Sequence, residues 1–403
     1  MIFKIYNFLI SPVTKFINPV KKNEIEKLKK ANVWIHCCSL GEIMAAKSLV
    51  DELLSRNKKI FLTAFTSSGL NKAQELWGEK IQILRFPLDE KSRIMCIISQ
   101  VSPEIFIDVE TELWPNMLTQ VRKFKIPAFL VNARISEKNY RRIKYFKKIF
   151  RMLLSIFVKI YAQSAADARR ILSFGINPDK IKITGNLKYD SVDIEDRASR
   201  EISGIEPSSF VVTFGSIRSK EEDQVIEAIF HLLHKLEDIY IIIAPRHLDR
   251  VDIIKTKLKR KSLDYNTRST GFHPQKGKVF ILDTLGELRK FYSVSDVAFV
   301  GGSMEDYGGH NIMEPASFGI PVLFGPYISN VENIANYILK SKGGMVVRNA
   351  QELVDEIIKL YQSSELRRKM GENALKAILQ KQGIAKEIMQ DIEATLSHLS
   401  SQS

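Results

Sequence analysis

Cysteine is scarce in this sequence, and its placement argues against a disulfide framework. Of the 403 residues only three are cysteines, and two of them, Cys37 and Cys38, are neighbours that can hardly pair without strain. There is no CxxC pair, no His/Cys cluster at metal-ligand spacing and no HExxH motif, so the sequence predicts no metal site. A chain without disulfides suits a reducing cytoplasm.

Two nucleotide-binding signatures and a membrane-spanning run are also absent. The chain has no GxxxxGK[ST] loop and no GxGxxG after a strand, which argues against P-loop and ordinary dinucleotide-binding proteins. Residues 1–20 are apolar, but Lys4 and Pro12 interrupt them well before the ~20 residues that span a bilayer. No small-residue cleavage site follows, so we expect no secretory signal. We predict that residues 1–30 form an amphipathic segment, which either lies on a membrane or packs on the first domain.

What the chain does contain is the composition of a folded globular protein, with 45% hydrophobic and 26% charged residues. Its length favours two domains. Lysine and arginine number 60 against 46 aspartates and glutamates, which gives a formal charge of +14. This balance indicates a partner that carries phosphates: nucleic acid, a nucleotide or an anionic membrane.

Short apolar runs rich in Val, Ile and Phe recur along the chain, and helix-length stretches separate many of them. The runs are continuous rather than alternating, which is typical of strands buried on both faces. They lie at residues 33–38, 60–65, 81–86, 104–110, 128–133, 159–164, 180–186, 210–216, 240–245, 278–284, 297–303, 321–326 and 344–349. This rhythm predicts an α/β fold in which helices cover both faces of parallel sheets.

The rhythm pauses at residues 191–208, an acidic and polar stretch that we interpret as a domain linker. We therefore predict one Rossmann-like domain at residues 31–190, a second at 209–380 and a C-terminal helix at 381–403. Two doubly wound sheets place the carboxyl ends of both sets of strands around a central crevice, where ligands are expected.

The motif Ser39-Leu40-Gly41-Glu42 directly follows the first apolar run and has two interpretations. The S-x-x-E pattern predicts a capping box, in which Ser39 and Glu42 bind the unpaired amides at the start of a helix. The same Glu42 would also stand at the mouth of the crevice, where a carboxylate can act as a general base. The residues alone leave both interpretations open.

Two further motifs follow apolar runs. Glu110 ends the run at 104–110, where a carboxylate is costly unless it binds something or takes part in chemistry. Glycine pairs at 301–302 and 308–309 precede a helix that Glu314 opens. Their amides are expected to be exposed to an anion, and Glu314 to accept hydrogen bonds from sugar hydroxyls. The plainer alternative is a pair of turns and a helix start.

Basic residues complete the candidates. Arg246 and Lys188 each follow a run and can balance a phosphate, although isolated cations are usually solvated. Residues 138–159 are basic and interleaved with aromatic residues, and they predict an amphipathic helix, either at an anionic membrane or with its apolar face buried. So many apolar residues argue against a nucleic-acid interface.

Taken in order, these motifs resemble those of the Kdo transferases of lipopolysaccharide synthesis, where Kdo is 3-deoxy-D-manno-octulosonic acid. The strings that carry the resemblance are WIHCCSLGE, VETELWPN, VNARIS, AQSAADA, TGNLKYD, APRH, DTLGEL, VAFVGGS, GGHNIMEP and PVLFGPY. The resemblance implies the GT-B architecture and an inverting glycosyltransferase that requires no metal or other cofactor. It also implies CMP-Kdo as the donor and a phosphorylated lipid A precursor, lipid IVA, as the acceptor.

The resemblance also assigns roles to individual residues. Glu42 matches the family's general base, while Glu110 and Lys188 match positions proposed to stabilise the transition state. The stretches that match CMP binding are Pro245, Arg246, Leu285, Gly286, Glu287, Asn311, Ile312, Met313 and Glu314. The sequence departs from the family at residues 217–220, where Ile-Arg-Ser-Lys stands in place of a frequent Thr-His-Glu-Gly.

We therefore expect a Kdo transferase at the cytoplasmic face of the inner membrane, attached peripherally or weakly anchored by its N-terminus. Its expected partners are CMP-Kdo, the phosphorylated lipid A precursor and the anionic membrane surface, with no nucleic acid. One alternative is another GT-B enzyme that uses a nucleotide sugar, such as a UDP-sugar glycosyltransferase or an epimerase. The other is a non-catalytic basic protein that binds membranes or nucleic acid.

Overall fold

A computed structural model describes residues 20–190, 198–200 and 203–401. Residues 1–19, which make up most of the predicted amphipathic segment, and much of the predicted linker lie outside the described residues. The described residues fall into two compact units, within the bounds Met1–Ser191 plus Gln382–Ser403 for the first and Val192–Lys381 for the second.

The first unit is built on a seven-stranded sheet in which every neighbouring pair of strands is parallel. Its strands are β1 (Val33–Cys37), β2 (Ile60–Ala64), β3 (Gln82–Arg85), β4 (Ile105–Val109), β5 (Ala128–Ala133), β6 (Lys159–Ala162) and β7 (Ile181–Ile183). Their order is β3-β2-β1-β4-β5-β6-β7. The chain therefore reverses its direction of travel across the sheet between β1 and β4, which makes that pair the topological switch point.

Burial on both faces explains why the strands of the first sheet read as unbroken apolar runs. All residues of β1, β2, β4 and β5 are buried. Trp34 lies between Phe61 and Phe106 of the adjacent strands, with ring centroids 6.0 and 4.9 Å away. The helices that cover this sheet are α1 (Lys22–Glu26), α2 (Leu40–Ser55), α3 (Ser67–Trp77), α4 (Lys91–Val101), α5 (Pro115–Lys123), α6 (Glu137–Ile143), α7 (Lys147–Leu154) and α8 (Ala165–Ser173).

The second unit repeats the design with a second parallel sheet, in the order β10-β11-β9-β8-β12-β13-β14. Its strands are β8 (Phe210–Ile217), β9 (Ile239–Pro245), β10 (Tyr265–Thr267), β11 (Val279–Ile281), β12 (Val297–Val300), β13 (Val322–Phe324) and β14 (Gly344–Val346). Its helices are α9 (Glu222–Lys235), α10 (Val251–Arg260), α11 (Leu288–Ser293), α12 (Met313–Ser317), α13 (Glu332–Lys340), α14 (Ala350–Gln362) and α15 (Ser364–Leu379). The switch point of this sheet lies between β8 and β12.

The last helix, α16 (Ile384–Ser401), belongs to the first unit. Its residue Asp391 accepts a hydrogen bond of 2.9 Å from the Tyr161 hydroxyl and forms an ion pair of 3.2 Å with Lys182. At its start, the carboxylate of Asp190 accepts hydrogen bonds from the amides of Gly383 and Ala385 at 2.7 and 2.6 Å. These contacts bind the end of the chain to the sheet formed by its beginning.

The predicted pair of doubly wound, Rossmann-like α/β domains is confirmed, and each of the thirteen apolar runs contains a strand. The sequence analysis missed β10, because this short edge strand carries Asn266 and Thr267 and has no apolar run. The single amphipathic helix expected at residues 138–159 is wrong, since a 3₁₀ turn at Lys144–Phe146 separates α6 from α7. Among the residues that the structure describes, no helix has the length and apolar character to cross a bilayer.

Candidate active site

The loops that follow β1 and β4 meet at the switch point of the first sheet. His36 of β1 is the register partner of Asp108 of β4, so the two strands end side by side. Glu42 lies in the first turn of α2, directly after β1, and Glu110 is the first residue after β4. The two carboxylates that the sequence analysis singled out therefore stand at the edge of the sheet where ligands bind in such folds.

Glu42 is buried, with 6% of its surface exposed, yet its carboxylate is well supplied with hydrogen bonds. It accepts one from the Cys38 amide and one of 2.9 Å from the Ser39 hydroxyl. Burial raises the pKa of Glu42 to about 7, the Cys38 amide opposes this rise, and the charges of Glu112 and Glu110 add to it. A carboxyl group with this pKa accepts and releases protons at neutral pH.

The predicted capping box is wrong in its hydrogen bonds. The Ser39 side chain accepts no amide of α2 and donates instead to Glu42. Glu42 binds the amide of Cys38, one residue before the position that a capping box would use. The S-x-x-E motif therefore holds the Glu42 carboxylate in place from two sides.

Glu110 and Lys188 form the second pair that the structure brings together here. The Lys188 Nζ lies 3.5 Å from the Glu110 Oε1, and both side chains are partly exposed. Glu110 has a φ of +68°, a left-handed conformation that is uncommon for residues other than glycine. Its amide is held by the Val131 carbonyl at 2.9 Å. A strained residue at the end of a central strand is typical of functional sites.

Two further acidic residues surround Glu42, and the sequence analysis did not single them out. Asp108 is fully buried within β4, and neither of its carboxylate oxygens has a hydrogen-bond partner among the residues that the structure describes. Burial, together with the charges of Glu112 and Glu42, raises the pKa of Asp108 well above its ordinary value. Burial also raises the pKa of Glu112. An acidic residue inside the apolar run EIFID was the signal that could have identified Asp108.

Cys38, Glu42 and Glu112 each offer one possible metal-ligand atom, and these atoms lie within 4.8 Å of one another. Burial, with Glu112 and Glu42, raises the pKa of the Cys38 thiol well above its ordinary value. The sulfur is therefore protonated at neutral pH, and a thiol is a poor ligand compared with a thiolate. The crowded carboxylates raise one another's proton affinity, as a general base at Glu42 requires.

At the switch point of the second sheet, a buried carboxylate occupies the amides that the sequence analysis expected to be open to an anion. Glu221 accepts hydrogen bonds from the amides of Gly302, Ser303 and Met304 at 2.5, 3.2 and 3.2 Å. It also accepts one from the Arg218 amide at 2.8 Å. The expectation that the first glycine pair exposes its amides to a ligand is therefore wrong, since an internal side chain serves as the anion.

The glycine at position 302 nevertheless has a steric role. It adopts a φ of +67°, and a Cβ built on it would lie 2.6 Å from the ring of His310. Only glycine lets the His310 ring pack against this backbone. The loop after β12 is thus folded tightly on itself.

Cationic side chains lie close to the loop that follows β12. The Arg218 guanidinium lies 2.6 Å from the His247 Nε2 and stacks over the Tyr307 ring at 4.5 Å. Burial, together with the charges of Arg246, Arg218 and His247, lowers the pKa of His310 to about 4. His310 is therefore neutral at pH 7, and its Nε2 has no hydrogen-bond partner among the described residues. Such a cluster can bind a phosphate.

Glu314 lies beside the same cations, in the first turn of α12. Burial raises the pKa of Glu314, against the hydrogen bond of 3.0 Å from Asn311 and the charges of Arg289 and Arg246. The structure thus brings Arg246 and Glu314 close enough to influence each other. Pro245 ends β9 directly before Arg246, while Ile312 and Met313 are buried beside Glu314.

The stretch Leu285-Gly286-Glu287 lies after β11 at the same carboxyl edge, but no described contact joins it to Arg246 or Glu314. Leu285 is 80% exposed, and Gly286 has a φ of +84° with open space around it. Glu287 is held by Arg268 at 3.0 Å and by the Thr284 hydroxyl at 2.5 Å. The exposed Leu285 side chain and the open space at Gly286 leave room for a ligand ring at this turn.

Comparison with known proteins follows the division into two units. Residues 14–191 match the family model for 3-deoxy-D-manno-octulosonic-acid transferase, and residues 195–377 match that for glycosyl transferases group 1. A 3-deoxy-D-manno-octulosonic acid transferase of Rickettsia felis is 32% identical over 89% of this chain and 78% of its own length.

Two other similarities define how far the comparison reaches. A bifunctional glycosyltransferase/methyltransferase of Fusobacterium nucleatum is 35% identical over 87% of this chain, which spans 56% of that relative's length. Among solved structures, a glycosyltransferase from Rickettsia africae superposes with a TM-score of 0.66 over 92% of this chain and 99% of its own, at 16% identity. At that identity the likeness shows the fold alone, which is of the GT-B type.

Proposed function

Since the chain belongs to the family of 3-deoxy-D-manno-octulosonic acid transferases, we propose that it moves Kdo from CMP-Kdo to a phosphorylated lipid A precursor. The observation that carries the mechanism is the buried Glu42 with its pKa of about 7, held by the Cys38 amide and the Ser39 hydroxyl. We propose it as the general base of an inverting transfer.

In this reaction Glu42 takes the proton of an acceptor hydroxyl as its oxygen attacks the anomeric carbon of Kdo. The new carbon–oxygen bond forms on one face while the bond to the CMP phosphate breaks on the other, so the configuration inverts. The proton stays on Glu42 until solvent removes it, and CMP leaves with the electron pair of the broken bond. A base whose pKa is near the working pH both accepts and releases a proton readily.

Glu110 and Lys188 are proposed to stabilise charge as this bond breaks. The Lys188 Nζ lies 3.5 Å from the Glu110 Oε1, so the carboxylate holds the ammonium in position. A positioned ammonium beside a developing anion stabilises it most in a site that excludes water. The strained backbone at Glu110 fixes the carboxylate that orients the lysine.

The second unit is proposed to hold the donor. Arg246 and Arg218, whose charges both act on His310, supply positive charge for the CMP phosphate, while neutral His310 and the Glu314 carboxyl group offer hydrogen bonds. Leu285 and Gly286 offer the exposed apolar turn against which a base can pack. Arg218 replaces the histidine frequent in the family and adds a cation at this place.

Isothermal calorimetry with CMP and with UDP tests the donor assignment directly. We expect CMP to bind and UDP not to compete for the site, whereas a UDP-sugar enzyme would show the reverse preference. Arg246→Ala should weaken CMP binding by about ten- to a hundredfold, since a charge-assisted hydrogen bond contributes roughly 1.5 to 3 kcal/mol. Arg260→Ala, an exposed arginine of α10, is the matched control. Tight UDP binding with no CMP binding would contradict the proposal.

We further propose that the protein works at the cytoplasmic face of the inner membrane, attached peripherally or weakly anchored by its N-terminus. The acceptor is a lipid, and the chain carries a net charge of +14. That charge attracts a protein to an anionic surface.

A further inference from the structure

Two large aromatic side chains of the first unit are exposed to solvent instead of packing in its hydrophobic core. Tyr145 is 78% exposed and Phe146 is 58% exposed. Both belong to the 3₁₀ turn Lys144–Phe146 that separates α6 from α7. Large aromatic residues side by side on a turn are costly to leave in water, so their exposure calls for a partner.

The apolar face that packs α6 and α7 onto the unit is made by other residues. Tyr140 and Ile143 of α6, and Ile149 and Phe150 of α7, pack against the hydrophobic core of the sheet. The Phe150 ring stacks on Phe174 with centroids 5.4 Å apart. An ordinary amphipathic surface helix accounts for these four residues, but it leaves Tyr145 and Phe146 without a function.

The surroundings of the two aromatic residues are strongly and uniformly positive. Residues 138–151 contain seven lysines and arginines and no acidic residue. Of these cations, Arg141 pairs with Glu137 at 3.1 Å. Within the described part of the chain, Lys138, Arg142, Lys147 and Lys148 are exposed and form no ion pair. Their charge is therefore available to an external anion.

The exposed turn lies near the edge of the sheet that carries the candidate base. The segment leaves the carboxyl end of β5, which is the neighbour of β4 in the sheet, so it starts at the edge where Glu42 and Glu110 lie. Helix α6 has seven residues, which at 1.5 Å per residue spans about 10 Å. The exposed turn is thus one short helix away from that edge.

We propose that Lys138, Arg142 and Lys144–Lys148 form a docking surface for a bilayer that contains anionic phospholipid. We refer to these residues as the basic aromatic surface. The cations contact lipid phosphates, while Tyr145 and Phe146 enter the interface between headgroups and acyl chains. The inference rests on the proposed function in one respect only, that an enzyme acting on a membrane lipid must reach the bilayer.

Binding of the full chain to vesicles tests this surface without any donor or acceptor substrate. We expect the wild type to float with vesicles of 30% phosphatidylglycerol in phosphatidylcholine and to remain behind with phosphatidylcholine alone. The Lys144→Ser/Lys147→Ser/Lys148→Ser variant should bind roughly a hundredfold more weakly, since each lysine near an anionic surface contributes about a fivefold factor. The variant Tyr145→Ser/Phe146→Ser should also bind at least about tenfold more weakly.

The matched control removes three exposed cations of the second unit, Lys235→Ser/Lys259→Ser/Arg260→Ser. This control should bind as the wild type does, because it changes the net charge by the same amount at another place. Circular dichroism checks that every variant is folded. Equal loss in the control, or unchanged binding in both surface variants, would overturn the proposal, as would a wild type that ignores anionic vesicles.

Insertion is tested separately with a tryptophan probe. Fluorescence of Phe146→Trp should shift to the blue on anionic vesicles and be quenched by brominated lipid. Phe272→Trp, placed at another exposed phenylalanine, should do neither. Duplex DNA and short-chain, water-soluble phosphatidylglycerol are compared as competitors for the vesicles. If DNA competes as well as the lipid does, and the fluorescence of Phe146→Trp does not shift, the surface binds polyanions in general and the proposal fails. Transfer activity enters none of these readouts, so an error in the proposed reaction would leave their results unchanged.

Discussion

At the scale of single residues, burial of Glu42 has two opposing effects on the molecule. It raises the pKa of the carboxyl group to about 7, which creates a base suited to neutral pH. The same burial means that the native state holds the proton more tightly than the unfolded chain does, where the pKa is near 4.5. Stability that this proton contributes below pH 4.5 is therefore lost as the pH rises towards 7.

Substitution of Glu42 should make this cost visible. Because Gln is neutral at every pH, Glu42→Gln should gain stability relative to the wild type as the pH rises from 5 to 8. The gain in the free energy of unfolding should reach about 3 kcal/mol, since one pKa unit corresponds to about 1.4 kcal/mol. Urea denaturation at both pH values measures it. A stability difference that does not change with pH would show that Glu42 has an ordinary pKa.

Glu42 also shows what the sequence could not specify at this scale. The pattern S-x-x-E placed a carboxylate after a buried strand, and the structure has it there. The hydrogen bonds differ from the expected capping box, because the same four residues allow either the Ser39 or the Cys38 amide to be bound. Glu112 and Asp108 join the cluster only because β1 lies beside β4, and a single sequence does not contain that strand order.

At the scale of elements, the loops at the ends of the strands are fixed by buried carboxylates. Glu221 binds four backbone amides, three of them in the loop after β12. The glycines of this loop were expected to leave their amides open to a ligand, and Glu221, some eighty residues earlier, occupies them instead. The sequence alone does not predict this contact, since only the pairing of β8 with β12 brings the two loops together.

Removal of this carboxylate should destabilise the second unit strongly. In Glu221→Ala the buried amides lose their acceptor, and each unsatisfied buried donor costs about 1 to 3 kcal/mol. We expect the free energy of unfolding to fall by about 3 kcal/mol or more, measured by urea denaturation. Glu237→Ala, an exposed glutamate of the same unit, should change it by less than about 0.5 kcal/mol. Similar values for the two variants would mean that solvent replaces Glu221 in the loop.

The C-terminal helix α16 is a second element whose position depends on a few polar contacts. Burial alone would raise the pKa of Asp391, but the hydrogen bond from Tyr161 and the ammonium of Lys182 outweigh it and lower that pKa. The carboxylate is therefore charged at neutral pH and holds α16 to β6 and β7.

Asp391→Ala should loosen this helix. The variant leaves the Tyr161 hydroxyl and the Lys182 ammonium without this partner, and the expected loss of stability is about 1 to 3 kcal/mol. Hydrogen exchange of the amides in Ile384–Ser401 should become faster by the factor to which this loss of free energy corresponds, roughly 5- to 150-fold. In Gln390→Ala, which changes the exposed neighbour, exchange should stay as in the wild type. Unchanged protection in Asp391→Ala would show that the apolar face of α16 suffices to hold it.

At the scale of the whole molecule, the two units carry complementary chemistry. The first unit gathers carboxylates whose pKa values are raised, and the second gathers arginines and histidines around a tightly folded loop. A base and a phosphate-binding cluster are the two functions that a transfer from a nucleotide sugar requires. The repeated α/β rhythm of the sequence predicted the two units, but not the chemistry of each. It did not predict that the last helix returns to the first unit, because a helix carries no signal of the sheet on which it packs.

The role of Glu42 as the base is best tested by the initial rate of Kdo transfer from CMP-Kdo to a tetraacylated lipid A precursor, followed by mass spectrometry from pH 5.5 to 9. For the wild type, we expect a rate that rises about tenfold per pH unit up to a pH of about 7 and then levels. Glu42→Gln should be slower by roughly 10²–10⁴-fold at every pH, while calorimetry shows unchanged CMP binding. Transfer by Glu42→Gln within about tenfold of the wild type would show that Glu42 is not the base, and no transfer by the folded wild type would show that the protein is not a Kdo transferase.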